Sequence, residues 1–97
     1  MAKIILNEQE FDFDGYSRNT YFNDNTISST GYIGNIQGAN AANALAELGE
    51  DTITSISIKV DEDIIYNLTD IDARITSIDE SFNGVDRVNT NINLQFN

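Results

Sequence analysis

The sequence VNTNINLQF, residues 88–96, alternates apolar and polar side chains along its whole length. Successive side chains of a β-strand point to opposite faces, so this stretch predicts a strand with one buried face and one wet face. Antiparallel sheets accommodate such strands because one face of the sheet can meet water. The apolar set is Val88, Thr90, Ile92, Leu94 and Phe96, and the polar set is Arg87, Asn89, Asn91, Asn93 and Gln95.

The polar row of this strand has two interpretations. It is either a plain solvent face, or an edge or face that meets a second copy of the chain. A strand with this much Asn and Gln, no proline and one charge lacks the usual protection of an edge. If it lies at an edge, it invites the addition of another strand.

The residues before this strand predict further hairpins. Residues 56–60 and 64–68 alternate in the same way around the acidic turn 61–63, and residues 71–75 begin another strand. Asn83–Gly84 is a strong hairpin turn signal. Two isoleucines, Ile53 and Ile78, do not fit the apolar–polar alternation of their predicted strands. The position of Ile53 indicates a bulge or the start of a strand.

The N-terminal half begins with another predicted hairpin. Residues 3–6 form its first strand, and residues 10–13 form its second, with Phe11 and Phe13 on one face. The polar residues 7–9 separate the two strands, and Asp14 and Gly15 form the following turn.

Residues 16–38 show no clear period. Short strands near 20–22 and 30–33 are one interpretation, and a long loop is the other. Loops of this length in small domains are often functional, so we expect a partner surface here first.

One helix is predicted, over residues 40–48. Asn40 is a suitable N-cap, and Gly49 is placed as the C′ residue. A helix this short does not persist alone and must pack on the sheet. Its apolar stripe, at the spacing of one helix face, is Ala41, Ala44, Leu45 and Leu48.

These elements predict an α+β fold, a predominantly antiparallel β-sheet built as a hairpin meander with one short helix near residues 40–48 packed on it. The 97 residues are expected to form a single domain, 1–97. A domain of this size buries a modest fraction of its surface, and no cysteine is present to form a disulfide. An oligomeric contact would supply additional burial.

The chain carries 16 acidic and 5 basic residues, a net charge of −11. We expect no direct binding to nucleic acid, because that affinity comes from Lys and Arg side chains that neutralise phosphates. An anionic membrane is disfavoured for the same reason. The acidity either keeps copies soluble or forms a face that competes with nucleic acid for a basic groove.

The chemistry available to the side chains is narrow. Without histidine and cysteine, nucleophile–histidine catalysis and zinc ligation are not expected, and we predict no enzymatic activity and no cofactor. Asp12, Asp14 and Gly15 resemble the start of a calcium loop, but the glycine comes too early and Asn23 stands where the bidentate glutamate belongs. A weak divalent-cation site between acidic turns stays open.

The expected location is a cytoplasm. Residues 1–6 have one basic residue and a short apolar run, which is not the pattern of a signal peptide. No apolar stretch approaches the roughly 20 residues that cross a bilayer.

Residues 53–96 resemble small phage and prophage proteins of the virion-accessory or anti-defence type. The stretches that carry the resemblance are ITSISI at 53–58, DIIYNLTD at 63–70, ITSIDESFNG at 75–84 and the Asn-rich strand at the end. The resemblance implies a role in a particle or in host takeover. If the protein is structural, it also implies a location first in the host cytoplasm and then in a virion. It assigns no functional residue.

Two hypotheses for function follow. The first is a non-enzymatic phage structural or assembly accessory, a tail or head component acting in multiple copies through contacts with itself or other virion proteins. The second is an acidic inhibitor that resembles anti-CRISPR proteins and binds a host nucleic-acid-binding complex. A weaker third is a carbohydrate- or ion-binding module built on residues 16–32. A set of acids is expected to contact a partner, because their turns are expected to cluster at the ends of neighbouring hairpins. These acids are Asp61, Glu62, Asp63, Asp70, Asp72, Asp79, Glu80 and Asp86.

Overall fold

A computed structural model of the chain describes residues 2–38, 40–82 and 88–96. The described residues form eight strands and one helix, which confirms the predicted α+β class with a predominantly antiparallel sheet. In chain order the elements are β1 (Ala2–Leu6), β2 (Gln9–Asp12), β3 (Gly15–Asn23), β4 (Thr26–Gln37), α1 (Ala41–Leu48), β5 (Ile56–Val60), β6 (Asp63–Leu68), β7 (Ala73–Phe82) and β8 (Val88–Phe96).

The strands form one sheet made of four consecutive hairpins. Its order is β6, β5, β1, β2, β4, β8 and β7, and β3 also pairs with β4. The twelve-residue strand β4 joins the hairpins, because Gln37 pairs with Asp12 of β2 while β8 pairs along the opposite edge. β5 pairs with β1. The order in the sheet therefore differs from the order in the chain.

Strand β8 has the two faces that its alternation predicts. Thr90, Ile92, Leu94 and Phe96 are buried, whereas Val88 is exposed. The interpretation of β8 as an edge is wrong, because β4 pairs with one side of it and β7 with the other. Its backbone groups are thereby engaged, so β8 cannot accept another strand. The other interpretations of its polar row, a solvent face or a face that meets a second copy, stay predictions. Arg87 and the Asn83–Gly84 turn lie outside the described residues.

Helix α1 confirms the helix predicted over 40–48. Ala41, Leu45 and Leu48 are buried, and the helix packs on β7. Two details of its ends differ from the prediction. The Asn40 side chain makes no capping hydrogen bond, and Gly49 has a φ of −67°, so it continues the helical conformation and donates its N–H to the Leu45 carbonyl at 2.8 Å.

The out-of-phase isoleucines mark irregular pairing. Ile53 forms an isolated bridge with Ala73, in which their N–H and C=O groups bond reciprocally at 2.8 and 3.0 Å. The register of β7 against β8 shifts between Ile75 and Ser77, and this extra residue returns Ile78 to the core face opposite Ile92.

The stretch 16–38 is more regular than the sequence indicates. It contains the long strands β3 and β4, and neither a long loop nor two short strands is found there. Asn35 interrupts β4 with a φ of 55°, at a register shift between Ile33 and Ile36. The side chain of Asn91 accepts the Asn35 N–H at 2.9 Å, which stabilises this bulge.

The core gathers apolar side chains from the helix, the strands and the isolated bridge. Phe13, Tyr16 and Tyr66 pack at its margin. Its buried members are Ile4, Leu6, Phe11, Ile33, Ile36, Ala41, Leu45, Leu48, Ile53, Ile56, Ala73, Ile92, Leu94 and Phe96.

Candidate functional site

The end of the β3–β4 hairpin projects from the sheet, and we call its residues 20–29 the hairpin arm. β3 and β4 pair without interruption from Gly15–Gly34 to Asn23–Thr26. Among the described residues, β8 pairs with β4 from Ser29 onward, so residues 26–28 pair with β3 alone. At about 3.3 Å per residue, the arm extends roughly 10 Å beyond the last β4–β8 pair.

A two-residue turn closes the arm at Asp24 and Asn25. Asp24 has a φ of 45°, a conformation that Asp adopts more readily than most residues. The Thr26 hydroxyl donates to the Asn23 carbonyl at 2.9 Å across the turn. These local contacts keep the two strands in register to their ends.

Two apolar side chains stand next to this turn. Phe22 and Ile27 are direct cross-strand partners, and they are 77% and 69% exposed. Alternation along β4 places Ile27 on the same face as Ser29 and the fully buried Ile33. The sheet face that carries the core therefore continues onto the arm, where no described residue buries it.

The core ends just before this pair. The Arg18 guanidinium lies 4.5 Å from the centroid of the Phe96 ring, a cation–π geometry. Gly31 leaves room for that ring, since a β-carbon there would lie 2.8 Å from a Phe96 ring carbon. Next along the hairpin, the hydroxyl oxygens of Thr20 and Ser29 lie 3.0 Å apart and form a hydrogen bond. Phe22 and Ile27 lie beyond this polar border.

The opposite face of the hairpin carries Tyr21 and Tyr32, both exposed. The Tyr32 hydroxyl donates to the side-chain oxygen of Asn91 at 3.2 Å. The ring lies against Gly34, where an added β-carbon would meet ring atoms at 2.9–3.2 Å. The segment considered for a ligand-binding loop is thus a paired hairpin with one ordered aromatic ring on its outer face.

A pair of tyrosines joins the base of this hairpin to β6. The hydroxyls of Tyr16 and Tyr66 are 3.0 Å apart, and their ring centroids are 5.3 Å apart. Burial, reinforced by the hydrogen bond to Tyr66, raises the pKa of Tyr16 well above the ordinary value of 10.0. The folded protein therefore holds Tyr16 neutral at a pH where the unfolded chain ionises it.

We expect the free energy of unfolding to fall as pH rises above about 10. The contribution of Tyr16 is complete below the pKa of the unfolded chain, and it is lost above that value because only the unfolded state releases the proton. Tyr16→Phe should weaken this alkaline loss and cost about 0.5–1.5 kcal/mol near neutral pH. Urea unfolding near neutral pH and above pH about 10 measures the two effects. If the free energy of unfolding of Tyr16→Phe fell with alkaline pH as steeply as that of the unaltered chain, Tyr16 would not be the group responsible.

The β3–β4 hairpin carries no net charge, although the chain as a whole is strongly acidic. Between residues 15 and 37 the charged residues are Arg18 and Asp24, which cancel. The remaining 15 acidic and 4 basic residues, and hence the whole net charge of −11, lie elsewhere in the sequence. A partner that docks on this hairpin meets little electrostatic repulsion.

The structure separates the acids that the sequence places in the C-terminal turns. Asp61 and Glu62 form the β5–β6 turn, and Asp63 begins β6. Asp70 and Asp72 follow the opposite end of that strand, about 20 Å away for six extended residues. These two groups do not form one acidic surface at neighbouring hairpin ends.

The other acids of the predicted partner-binding set lie elsewhere. Asp79 and Glu80 are inside β7, opposite Asn91 and Thr90 of β8, and not in a turn. β6 and β7 stand at opposite ends of the sheet order. Asp86 lies outside the described residues. A partner-binding role for any of these acids stays a prediction.

Two carboxylates of the N-terminal half have partners that bear on the resemblance to a calcium loop. Asp12 forms an ion pair with Lys3 at 3.3 Å, and Asp14 accepts a hydrogen bond from the Asn35 side chain at 3.4 Å. Within residues 2–38, 40–82 and 88–96, no group of three or more carboxylates is arranged to hold a metal ion. In the same part of the chain, no helix has the length and apolar character needed to cross a membrane.

The chain matches no protein-family model, and no curated protein or solved structure matches it.

The sequence places an expected partner surface within residues 16–38, but it does not predict the hairpin arm that the structure shows there. The signal of the arm is the segment Phe22–Ile27, in which two apolar residues flank four polar ones. Asp and Asn tolerate positive φ and favour turns, so the segment is compatible with a tight hairpin. The hairpin is hard to recognise in the sequence because its turn contains no glycine and its strands alternate only weakly between apolar and polar residues.

Proposed function

We propose that this chain is a non-enzymatic assembly protein that acts in multiple copies through protein–protein contacts made by the hairpin arm. The sequence resemblance to small phage proteins favours a structural accessory of a phage tail or head as the setting. One observation carries the proposal: the Phe22–Ile27 pair is exposed on the continuation of the core-bearing sheet face.

Burial of this pair provides a physical reason for association. Covering apolar surface stabilises a complex by about 25 cal/mol per Å², or roughly 1.5–3 kcal/mol for each large side chain that is fully covered. The pair lies on a projecting ribbon, where a partner can reach it without disturbing the core. The neutrality of residues 15–37 removes the repulsion that an acidic chain otherwise presents to an acidic partner.

The double variant Phe22→Thr/Ile27→Thr is expected to weaken assembly by at least about 30-fold, for a loss of roughly 2 kcal/mol of burial. Threonine retains strand propensity, and exposed positions contribute little to folding, so stability should change by less than about 0.5 kcal/mol. The measurement is peptide mass spectrometry of purified particles from the source lysate, with the unassembled fraction as reference.

The matched control is Ile64→Thr/Ile65→Thr, which changes two isoleucines of β6 that are 59% and 64% exposed. This control should enter particles as the unaltered chain does. Equal incorporation of the arm variant would contradict the assignment of the arm. Absence of the unaltered chain from particles, together with a host complex whose affinity falls steeply with salt, would favour the acidic inhibitor instead.

A further inference from the structure

Three strands of the sheet, β3, β6 and β7, each pair along their length with one neighbouring strand among the described residues. Such strands present unpaired N–H and C=O groups on their outer side and can accept another strand. Natural edges are usually protected by charges, bulges or proline. The three edge strands can be compared by whether they contain charges, bulges or proline.

The edges of β6 and β7 are both interrupted. The pairing of β6 shifts between Ile58 and Lys59 of its neighbour, and β6 begins with Asp63. The pairing of β7 also shifts, and the strand carries the adjacent acids Asp79 and Glu80. A second acidic chain approaching either edge meets a distorted ladder and like charge.

The edge of β3 lacks both kinds of protection. All nine of its residues pair with β4 in one unbroken register, and the strand contains neither proline nor an acidic residue. Its single charge, Arg18, is positioned over the Phe96 ring. The outer side of β3 is therefore a straight hydrogen-bonding edge within the neutral hairpin.

Charge selects a second copy of this chain as the occupant. Two molecules that each carry −11 repel over most of their surfaces, and β3 is the edge strand that contains no acidic residue and lies within a stretch, residues 15–37, of zero net charge. A basic partner would gain more by docking on the acidic parts of the chain. Of the three edge strands, β3 is therefore the one that a like-charged copy can approach with the least repulsion.

We propose, building on the assembly function above, that β3 pairs antiparallel with β3 of a second copy to form one continuous sheet across a two-fold axis. Asn19 is the central residue of the nine in β3. An axis there sets Asn19 opposite Asn19 and Phe22 opposite Tyr16 of the second copy. Phe22 and Tyr16 share the core-bearing face, so each copy partly covers the arm of the other.

The test uses the absence of cysteine from the chain. Asn19→Cys introduces a single thiol at the expected axis, where paired strands bring Cα atoms within the roughly 4.4–6.8 Å that a disulfide spans. Mild oxidation should convert most of this variant to a covalent dimer. Ile64→Cys in β6 and Ser81→Cys in β7 place matched thiols at exposed positions of the other two edges and should remain largely monomeric.

A mixture of Ser17→Cys and Tyr21→Cys tests the register. An axis at Asn19 places residue 17 opposite residue 21, so the mixed disulfide should exceed either single-variant disulfide. If Asn19→Cys does not fold, these two variants still test whether β3 pairs with β3 of a second copy. Cross-linking as efficient through the β6 or β7 thiol, or mixed disulfides no more abundant than single ones, would overturn the proposed pairing.

Sedimentation of the unaltered chain gives an independent result. Raising the ionic strength from about 0.01 M to about 0.15 M shortens the Debye length from roughly 30 Å to roughly 8 Å. Association of two like-charged copies should become several-fold tighter, the reverse of the salt dependence of an acidic inhibitor on a basic groove. A strictly monomeric chain at both ionic strengths would overturn the inference.

The two proposals fail separately. If the isolated chain stays monomeric but Phe22→Thr/Ile27→Thr still abolishes entry into particles, the assembly function stands with a different partner, and the β3 dimer is wrong. If Asn19→Cys cross-links but particles never contain the chain, the dimer stands, and the particle role is wrong.

Discussion

Truncation of Leu45 to alanine is expected to lower the free energy of unfolding by about 2–5 kcal/mol. Leu45 is fully buried at the centre of the packed face of α1. An eight-residue helix does not persist in water without tertiary packing, so the side chain that packs it stabilises the backbone as well. Because small domains are stable by only about 5–15 kcal/mol, this variant should be close to unfolding at physiological temperature.

Urea unfolding followed by circular dichroism measures this effect. The matched control is Asn43→Ala in the same helix, an exposed position where alanine has the higher helix propensity and should add a few tenths of a kcal/mol. The two alanine variants should therefore shift the midpoint in opposite directions. A loss of less than about 1 kcal/mol for Leu45→Ala would show that α1 is not packed on the sheet in solution.

The parts of the fold that the sequence predicts are those where one face is buried and the other is wet. Residues 88–96 alternate cleanly because β8 lies between β4 and β7 with the side chains of one face in the core. The helix was predictable for the same reason, since Ala41, Leu45 and Leu48 recur at the helical period. In both elements, the burial of one face accounts for most of the pattern of apolar and polar residues.

The β3–β4 hairpin was not predictable because burial does not impose a pattern on it. Most of β3 is exposed on both faces, so its sequence has no alternation to detect. In β4, the bulge at Asn35 changes the phase between Ile33 and Ile36, which are both buried. The same exposure that hides these strands from sequence reasoning makes the arm available to a partner.

The order of strands in the sheet depends on contacts between residues far apart in the chain. The single pair Asp12–Gln37 joins β2 to β4, and the Ile53–Ala73 bridge joins the segment before β5 to β7. Neither contact leaves a local pattern. The acids were assigned to a common surface for lack of this information, since their turns are neighbours in sequence but lie at opposite ends of β6.

Asn7→Ala is expected to cost about 2–4 kcal/mol, through lost hydrogen bonds of about 0.5–1.5 kcal/mol each and a strained backbone. The side chain of Asn7 accepts the Thr54 N–H at 2.8 Å and donates to the Thr52 carbonyl at 3.0 Å, which ties the β1–β2 turn to the segment before β5. Asn7 also has a φ of 48°, which alanine adopts at a cost of roughly 1–2 kcal/mol.

Two further substitutions at this position separate the hydrogen bonds from the strain. Asn7→Gly loses the same side-chain bonds but accepts the positive φ, so it should be more stable than Asn7→Ala by about 1 kcal/mol. Asn7→Asp retains the acceptor for Thr54 and loses the donor to Thr52, so it should fall between Asn7→Gly and the unaltered chain. Equal stability of the alanine variant and the unaltered chain in urea unfolding would contradict the role of Asn7. The predicted order exists because one side chain performs two tasks: it shapes its own turn and holds a segment about 45 residues away in sequence.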